Sequence, residues 1–217
     1  MFGNLKDHKI FLLAYSVFLI ITMPVLLMYS KEEIHIFLNG FFSPFLDEFF
    51  KNLTFLGSGI FVASVGIFAM LFSIRKSFFI LITWAGTGII IQVLKRLVFT
   101  DVVRPARFFE GIYPLHLVEG VKLYSLHSFP SGHSASAFGL FLCLALMTKS
   151  GGIQFMFFVF ALLVAYSRVY LSQHFLIDIY IGSVIGVTGS LIFYKTVFLS
   201  KRPWLNKSVL TIFKKQL

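Results

Sequence analysis

The sequence predicts an all-α, polytopic membrane protein, a six-transmembrane helical bundle with an outer interfacial helix and a structured outer loop. Three observations lead to this prediction. Hydrophobic residues make up 58 % of the 217 positions, more than a soluble globular domain carries. They fall into long uninterrupted stretches. The charged residues lie between those stretches and are distributed unevenly, as they are on the two sides of a membrane protein.

Six apolar stretches are predicted to cross the bilayer. Four of them have the length of about 17 residues or more that a spanning helix needs, namely 10–28, 55–72, 78–94 and 152–170. Two more, 134–147 and 175–199, complete the six. Because the stretch at 134–147 is short, its helix is expected to extend back into Gly132 and His133. The first stretch exceeds a signal-peptide core and has no small-residue cleavage site after it, so it is predicted to remain as a span.

The basic residues predict which side each connection faces. The net charge is +10, which by itself would also suit a nucleic-acid-binding protein. If the amino terminus is cytoplasmic, however, the inner segments hold eleven Lys and Arg against the single acid Asp7, whereas the outer segments hold eight of each sign. The whole excess is then cytoplasmic, as the positive-inside rule requires. We therefore expect cytoplasmic termini, a bacterial inner membrane and no nucleic-acid partner.

The chain shows no repeat or composition break, so residues 1–217 are predicted to form one domain. Its outer segments are then about 31–54, 95–132 and 171–174. The first is rich in Phe and acids, and two structures suit it about equally: an amphipathic helix in the outer interface, or a packed loop over the bundle. The second is too long for a simple turn and is expected to form a structured cap.

Ionisable residues on apolar helices indicate where function lies. Such residues are costly at membrane depth unless they pair or act in the mechanism, and Arg168, His174 and Asp178 are of this kind. If a helix carries both His174 and Asp178, their four-residue spacing places them on one face. The carboxylate would then hold one imidazole nitrogen and leave the other as an oriented nucleophile. A buried pair with a purely structural role is the alternative at this point.

The segment Pro130-Ser131-Gly132-His133 lies where the long outer link enters the fourth predicted span. A serine at this place can cap the helix, a glycine lets the backbone approach a ligand, and a helix start attracts anions. His133 would be placed to protonate a departing alkoxide. The remaining histidines, His8, His35, His116 and His127, have no partners at useful spacing and are predicted to be surface or interface residues.

Positive charge for a transferring phosphoryl group is also present. Arg104 and Arg168, with either Lys95 or Arg96, are candidates to bind it. All of these residues, with the two histidines and Asp178, are predicted on the outer side of the membrane. This convergence of phosphate-binding and proton-transfer groups favours a phosphate-processing enzyme over a transporter with an ion relay or a scaffold.

The order Lys95, Arg104-Pro105, then Pro130-Ser131-Gly132-His133, then Ser167-Arg168 with His174 and Asp178 resembles the three-part signature of the type 2 phosphatidic acid phosphatase family. The resemblance implies that His174 is the nucleophile, Asp178 its partner and His133 the acid for the leaving group. It implies phosphate binding by the five residues Lys95, Arg104, Ser131, Gly132 and Arg168. It also implies a lipid phosphate substrate, and neither metal nor other cofactor.

The sequence departs from the family at one point. Eight residues separate Lys95 from Arg104, whereas the family usually has six, so Arg96 is an alternative for the first position. Two questions are also left open. The lipid is expected to be a phosphatidate, a phosphatidylglycerophosphate, a polyprenyl diphosphate or a lipid A glycolipid. The phosphoryl acceptor is water in a phosphatase and another molecule in a phosphotransferase. The resemblance extends to the vanadium haloperoxidases, but those enzymes are mostly soluble. Six predicted spans therefore argue against haloperoxidase function for this protein.

Overall fold

The computed structural model of the protein describes residues 8–213, and every regular element in that range is helical. The helices are α1 (Lys9–Met28), α2 (Lys31–Asn39), α3 (Pro44–Leu53), α4 (Gly59–Phe72), α5 (Ile74–Val93), α6 (Pro105–Phe108), α7 (Gly132–Ala145), α8 (Gly151–Tyr170), α9 (Leu176–Phe198) and α10 (Val209–Phe213). Short 3₁₀ turns cover Thr54–Gly57 and Pro203–Asn206, and α5 continues into a π-helical turn at Leu94–Val98.

The predicted all-α bundle is confirmed, and the long helices follow the apolar stretches closely. Four helices are long and apolar enough to cross a membrane: α1, α5 with its π turn, α8 and α9. The bent pair Pro44–Gly57 and Gly59–Phe72, with a 54° change of direction, makes a fifth candidate. As expected, α7 begins at Gly132, but its 14 residues are shorter than a usual span. The count of six therefore stays a prediction.

The centre of the bundle is α7, which packs against α9, α8 and α5. Small residues bring α7 and α9 close together. A Cβ added to Gly186 of α9 would lie 2.4 Å from the Ala135 carbonyl oxygen of α7, and one added to Gly182 would lie 2.5 Å from that of Ser131. In lipid, such close backbone contact gives van der Waals packing that larger side chains would prevent. This packing places the amino-terminal ends of α7 and α9 side by side.

The outer segment 31–54 forms two helices instead of one. Ser30 caps α2 in a reciprocal capping box with Glu33, and Ser43 caps α3. The residues 40–43 between them break the helical path. Exposed aromatic side chains lie on both helices, at Phe37, Phe45 and Phe49, and on the connection between them, at Phe41 and Phe42. The segment is thus helical and amphipathic, as the first of the two predictions states. It also packs over the end of the bundle, as the second prediction states for a loop.

The long outer link forms the structured cap that its length predicted. Its two ends are held together by backbone bonds from the Arg104 N–H to the Ser125 carbonyl (2.9 Å) and from the Ser128 N–H to the Val102 carbonyl (3.0 Å). Asn39 of α2 binds it as well, because its side chain exchanges two hydrogen bonds with the backbone of His116. The cap is therefore tied both to itself and to the outer helices.

The opposite end of the bundle is fastened by Arg75. This buried guanidinium donates to the carbonyl oxygens of Val197 and Ser200 at the end of α9 and to the side chain of Asn206.

Both chain termini lie outside the described residues. So do four of the charged residues used to predict the membrane orientation, namely Lys6, Asp7, Lys214 and Lys215.

The contact between α7 and α9 can be tested with alanine. Gly186→Ala should lower the stability of the folded protein by about 2 kcal/mol, because the added methyl group meets the α7 backbone, which cannot rotate away. Thermal unfolding in detergent measures the effect. Gly152→Ala is the matched control, since a Cβ there has no atom within 4 Å. Equal melting temperatures for the two variants would contradict the close packing.

Candidate active site

Four helix ends meet at one end of the bundle. They are the π turn after α5, which carries Lys95, the start of α7 with His133, the end of α8 with Arg168, and the start of α9 with Asp178. Residues 171–175 connect α8 to α9 within five residues. Because successive spans run in opposite directions, all four ends lie on the same side, as the sequence predicted.

The centre of the site is the carboxylate of Asp178, which is 2 % exposed. Its Oδ2 accepts hydrogen bonds from the Phe175 backbone N–H (3.0 Å) and the Ser128 hydroxyl (2.5 Å), and lies 3.2 Å from Nδ1 of His174. His174 was expected to share the helix with Asp178, but it precedes the first residue of α9 by two positions. The pair forms nevertheless, because the Asp178 side chain folds back to bond the N–H of Phe175, the residue before α9 begins.

The second ring nitrogen of His174 faces positive charge. Its Nε2 lies 3.4 Å from Nη1 of Arg104, which also donates to the Gln173 carbonyl at 3.1 Å. Burial, and then the charges of Arg104, Lys95 and Arg168, hold the pKa of His174 well below its usual range. The lowered pKa favours the neutral ring. In the tautomer whose Nδ1–H donates to Asp178, the lone pair of Nε2 faces the cations.

Lys95 and Arg96 are distinguished by their burial. Lys95 is 9 % exposed and interacts electrostatically with Arg104, Arg168 and Asp178, whereas Arg96 is exposed. A π turn holds an extra residue in the helical path, and it lies directly at this position. The structure thus brings Lys95 to the site despite the unusual spacing before Arg104.

Arg168 reaches the site from the last turn of α8. Its Nη1 donates to the Thr54 hydroxyl at 2.7 Å, and its Nε is buried without a partner among residues 8–213. Buried guanidinium groups without a carboxylate partner are costly. An N–H that faces no protein acceptor in such a place is suited to an anionic ligand.

The start of α7 combines a cap with free backbone donors. Ser131 is fully buried, its Oγ accepts from the Ser134 N–H, and its own N–H donates to the Asp178 carbonyl. Its side chain therefore shapes the helix start. The N–H groups of Gly132 and His133 follow, and at these first helical positions they have no acceptor within the helix. His133 interacts electrostatically with His174, and with Arg168 and the other cations.

The sequence analysis missed two hydrogen-bonding partners, Ser128 and Thr54. Both are small hydroxyl residues in outer segments, and no spacing rule singles them out. Ser128 contacts Asp178 and lies 3.5 Å from His174, so it belongs to the centre of the site. Among the part of the chain that is described, no group of three or more His, Cys, Asp or Glu could hold a metal ion.

The prediction that the other histidines are surface or interface residues was wrong for His8 and His35, whereas His116 is partly exposed. His8 is 3 % exposed and bonds the Thr148 carbonyl. His35 is 1 % exposed, and its Nε2 lies 3.2 Å from the Ser172 hydroxyl beside the His174 link. Burial lowers the pKa of His35 to about 4. His116 pairs with Asp47 at 2.9 Å. These partners come from distant segments, which is why sequence spacing did not reveal them.

Comparison with known proteins agrees with this geometry. The model of the PAP2 superfamily matches residues 76–202, the range from α5 to the end of α9. The lipid A 4'-phosphatase of Bacteroides thetaiotaomicron is 25 % identical over 175 residues, which are 75 % of this chain and 74 % of that protein.

Two solved structures are similar in fold. The crystal structure of Aquifex aeolicus LpxE superposes with a TM-score of 0.66 at 28 % identity, covering 75 % of this chain and 93 % of the other. That of the transmembrane PAP2 type phosphatidylglycerolphosphate phosphatase from Bacillus subtilis gives 0.64 at 24 % identity, covering 92 % and 100 %. Since the family match covers more than half of the chain and contains the site from Lys95 to Asp178, the protein belongs to the PAP2 superfamily, as a membrane-embedded lipid phosphatase.

Proposed function

We propose that the enzyme releases phosphate from a phosphate monoester or diphosphate on a membrane lipid, by way of a phosphohistidine on Nε2 of His174. The observation that carries this proposal is the orientation of His174. Asp178 holds Nδ1, while the free Nε2 faces Arg104 in a buried, cationic site. An imidazole held in this way is a nucleophile directed at the place where a phosphate would bind.

The first half-reaction is in-line attack. The lone pair of Nε2 forms a bond to phosphorus while the bond from phosphorus to the lipid oxygen breaks. The bound anionic phosphate offsets the cations around His133 and lets this ring hold a proton. His133 gives the proton to the leaving oxygen, so the lipid leaves as an alcohol, or as a lipid monophosphate from a diphosphate, and His133 becomes a base. Asp178 stabilises the positive charge that develops on the His174 ring, in the role that a carboxylate has beside a catalytic histidine.

The second half-reaction returns the enzyme to its starting state. His133 accepts a proton from water, whose oxygen attacks phosphorus, and the bond between phosphorus and Nε2 breaks. Inorganic phosphate leaves, and His133 carries the proton for the next turn. Arg104, Arg168, Lys95 and the free N–H groups at the start of α7 stabilise the phosphoryl oxygens in both steps. This route needs no metal ion.

Within this class, a lipid A type glycolipid phosphate is the first substrate to examine. The relative from Bacteroides thetaiotaomicron is named for its action on lipid A. We also propose that the site faces the exterior or periplasmic side of an inner membrane. The support is the charge distribution, which leaves the outer segments neutral and the inner segments strongly basic.

The proposed function predicts phosphate release from lipids by purified protein. The test panel is a phosphatidate, a phosphatidylglycerophosphate, a polyprenyl diphosphate and a lipid A type phosphate, with release measured in mixed micelles. His174→Ala should abolish release and Asp178→Asn should reduce it, because the first removes the nucleophile and the second its orienting charge. Activity should persist in EDTA. Substantial turnover by His174→Ala would disprove the proposal.

A covalent intermediate should become visible when His133 is removed. In His133→Ala, p-nitrophenyl phosphate can still phosphorylate His174, because its leaving group needs no proton. Hydrolysis of the intermediate lacks its base and should slow by roughly a hundredfold or more. A radiolabelled phosphoryl group should then stay on the protein, stable in alkali and lost in acid. The His133→Ala, His174→Ala double variant is the control, and label on it would refute the assignment to His174.

The two candidates for the first phosphate-binding position should differ sharply. Lys95→Gln should lower kcat/KM by roughly a hundredfold, since a buried positive charge is removed from the site. Arg96→Gln is the matched control, because Arg96 is exposed on the next position of the same turn, and its activity should stay within about twofold of wild type. The reverse order of effects would assign the role to Arg96.

A further inference from the structure

A groove runs along the outside of the bundle from the active site into the membrane region. It lies between α4, α5 and α7, and its volume of about 620 Å³ is in the range of small-molecule sites. His133 and Gly132 line it at the level of the active site, and Gly88 and Trp84 line it farther along α5. One end of this groove is therefore formed by the residue that protonates the leaving group.

Glycines keep the groove open. A Cβ added to Gly88 would have no atom within 4 Å, and one added to Gly132 would contact only Ile91, at 3.5 Å. A larger side chain at position 88 would therefore project into open space without disturbing the helix packing. Since α5 and α7 are mostly apolar, the groove offers a hydrophobic surface to a lipid chain.

Four polar side chains besides His133 line this mostly apolar surface, namely Trp84, Thr87, Gln92 and Ser136, and the Thr87 hydroxyl already donates to the Thr83 carbonyl. Ser136 is one helical turn beyond His133 on α7, and Gln92 follows Ile91, the residue that contacts Gly132. Among residues 8–213, neither the Ser136 hydroxyl nor the Gln92 amide has a hydrogen-bond partner. In a lipid environment, an unpaired polar group is costly, because no water replaces the missing bond. A ligand that brings its own polar group to this place would remove that cost.

The proposed mechanism, on which this inference rests, shows what such a ligand would be. In-line attack puts the leaving oxygen on the side of phosphorus opposite His174 and next to His133. The body of the lipid continues from that oxygen. It must therefore enter the space that begins at His133, and the groove is the space that His133 lines.

We infer that the groove binds the lipid part of the substrate and that Gln92 and Ser136 are its specificity-determining residues. They hydrogen-bond a hydroxyl, ester or amide group within a few atoms of the scissile oxygen. Acylated glycolipids and glycerolipids carry such groups, whereas a polyprenyl chain is pure hydrocarbon beyond its phosphates. The enzyme should accordingly prefer glycolipid and glycerolipid phosphates to polyprenyl phosphates.

The polar pair is tested by comparing substrates. Gln92→Leu and Ser136→Ala should each lower kcat/KM for a lipid A type phosphate or a phosphatidate by ~fivefold to tenfold, the value of one neutral hydrogen bond. With a polyprenyl phosphate, both variants should stay within about twofold of wild type. Ser16→Ala on α1 is the control, because Ser16 is exposed on a spanning helix, donates to the Leu12 carbonyl of its own helix and lies outside the groove, so the change should affect turnover of neither substrate.

The groove itself is tested by filling it. Gly88→Phe should lower turnover of every lipid substrate by ~tenfold or more and leave p-nitrophenyl phosphate unaffected, because only the lipid needs the groove. Gly152→Phe is the control, since position 152 also has open space around it and lies at the far end of α8. Unchanged lipid turnover in Gly88→Phe would overturn the inference.

The remaining outcomes separate the inference from the proposed function. If wild type releases phosphate but prefers polyprenyl phosphate, or if the polar variants affect all substrates equally, the inference fails and the phosphatase mechanism stands. If wild type releases phosphate from no substrate, or His174→Ala remains active, the proposed function itself fails.

Discussion

The arrangement of the site depends on the buried carboxylate of Asp178. Burying a carboxylate costs several kcal/mol unless hydrogen bonds and charges compensate for it. Here one oxygen receives the Ser128 hydroxyl, the Phe175 N–H and the ring of His174. These groups belong to the cap, the start of α9 and the link from α8. A single charge therefore joins the cap, through Ser128, to the link and helix start that hold His174 and Phe175, and it orients the His174 ring.

The positive side of the site follows from helix packing. Because α7 and α9 approach closely at Gly182 and Gly186, the free N–H groups at the start of α7 lie beside Asp178. Arg168 and Lys95 come from the ends of two further helices around α7. Like charges brought together in a buried place repel one another, and a bound anion would relieve this repulsion. Under the proposed function, the stability lost here is the counterpart of phosphate binding.

The outer helices and the cap hold the link that carries His174. His35 of α2 contacts Ser172 from one side, while the Gln173 side chain donates to the Lys122 carbonyl on the other. The exposed Phe side chains of the segment 31–54 belong to only one of its two faces. Its buried face helps to position His174, the proposed nucleophile, which gives this segment a role beyond lying at the membrane surface. Under the proposed function, this segment and the groove at His133 would hold the substrate between water and lipid.

The sequence by itself determined the helical class and the spanning stretches to within a few residues, and it singled out the candidate acid–base residues, because apolar length and rare charged positions are local properties. It also predicted those residues on one side, since charge counting needs no coordinates. Only the tertiary structure showed that Lys95 is buried where Arg96 is exposed, brought Ser128 and Thr54 to the site and buried His35, because these contacts join segments far apart in the chain. The structure also shows that His174 lies outside α9. Its pair with Asp178 forms because the Asp178 side chain folds back towards Phe175, and not because of helical spacing.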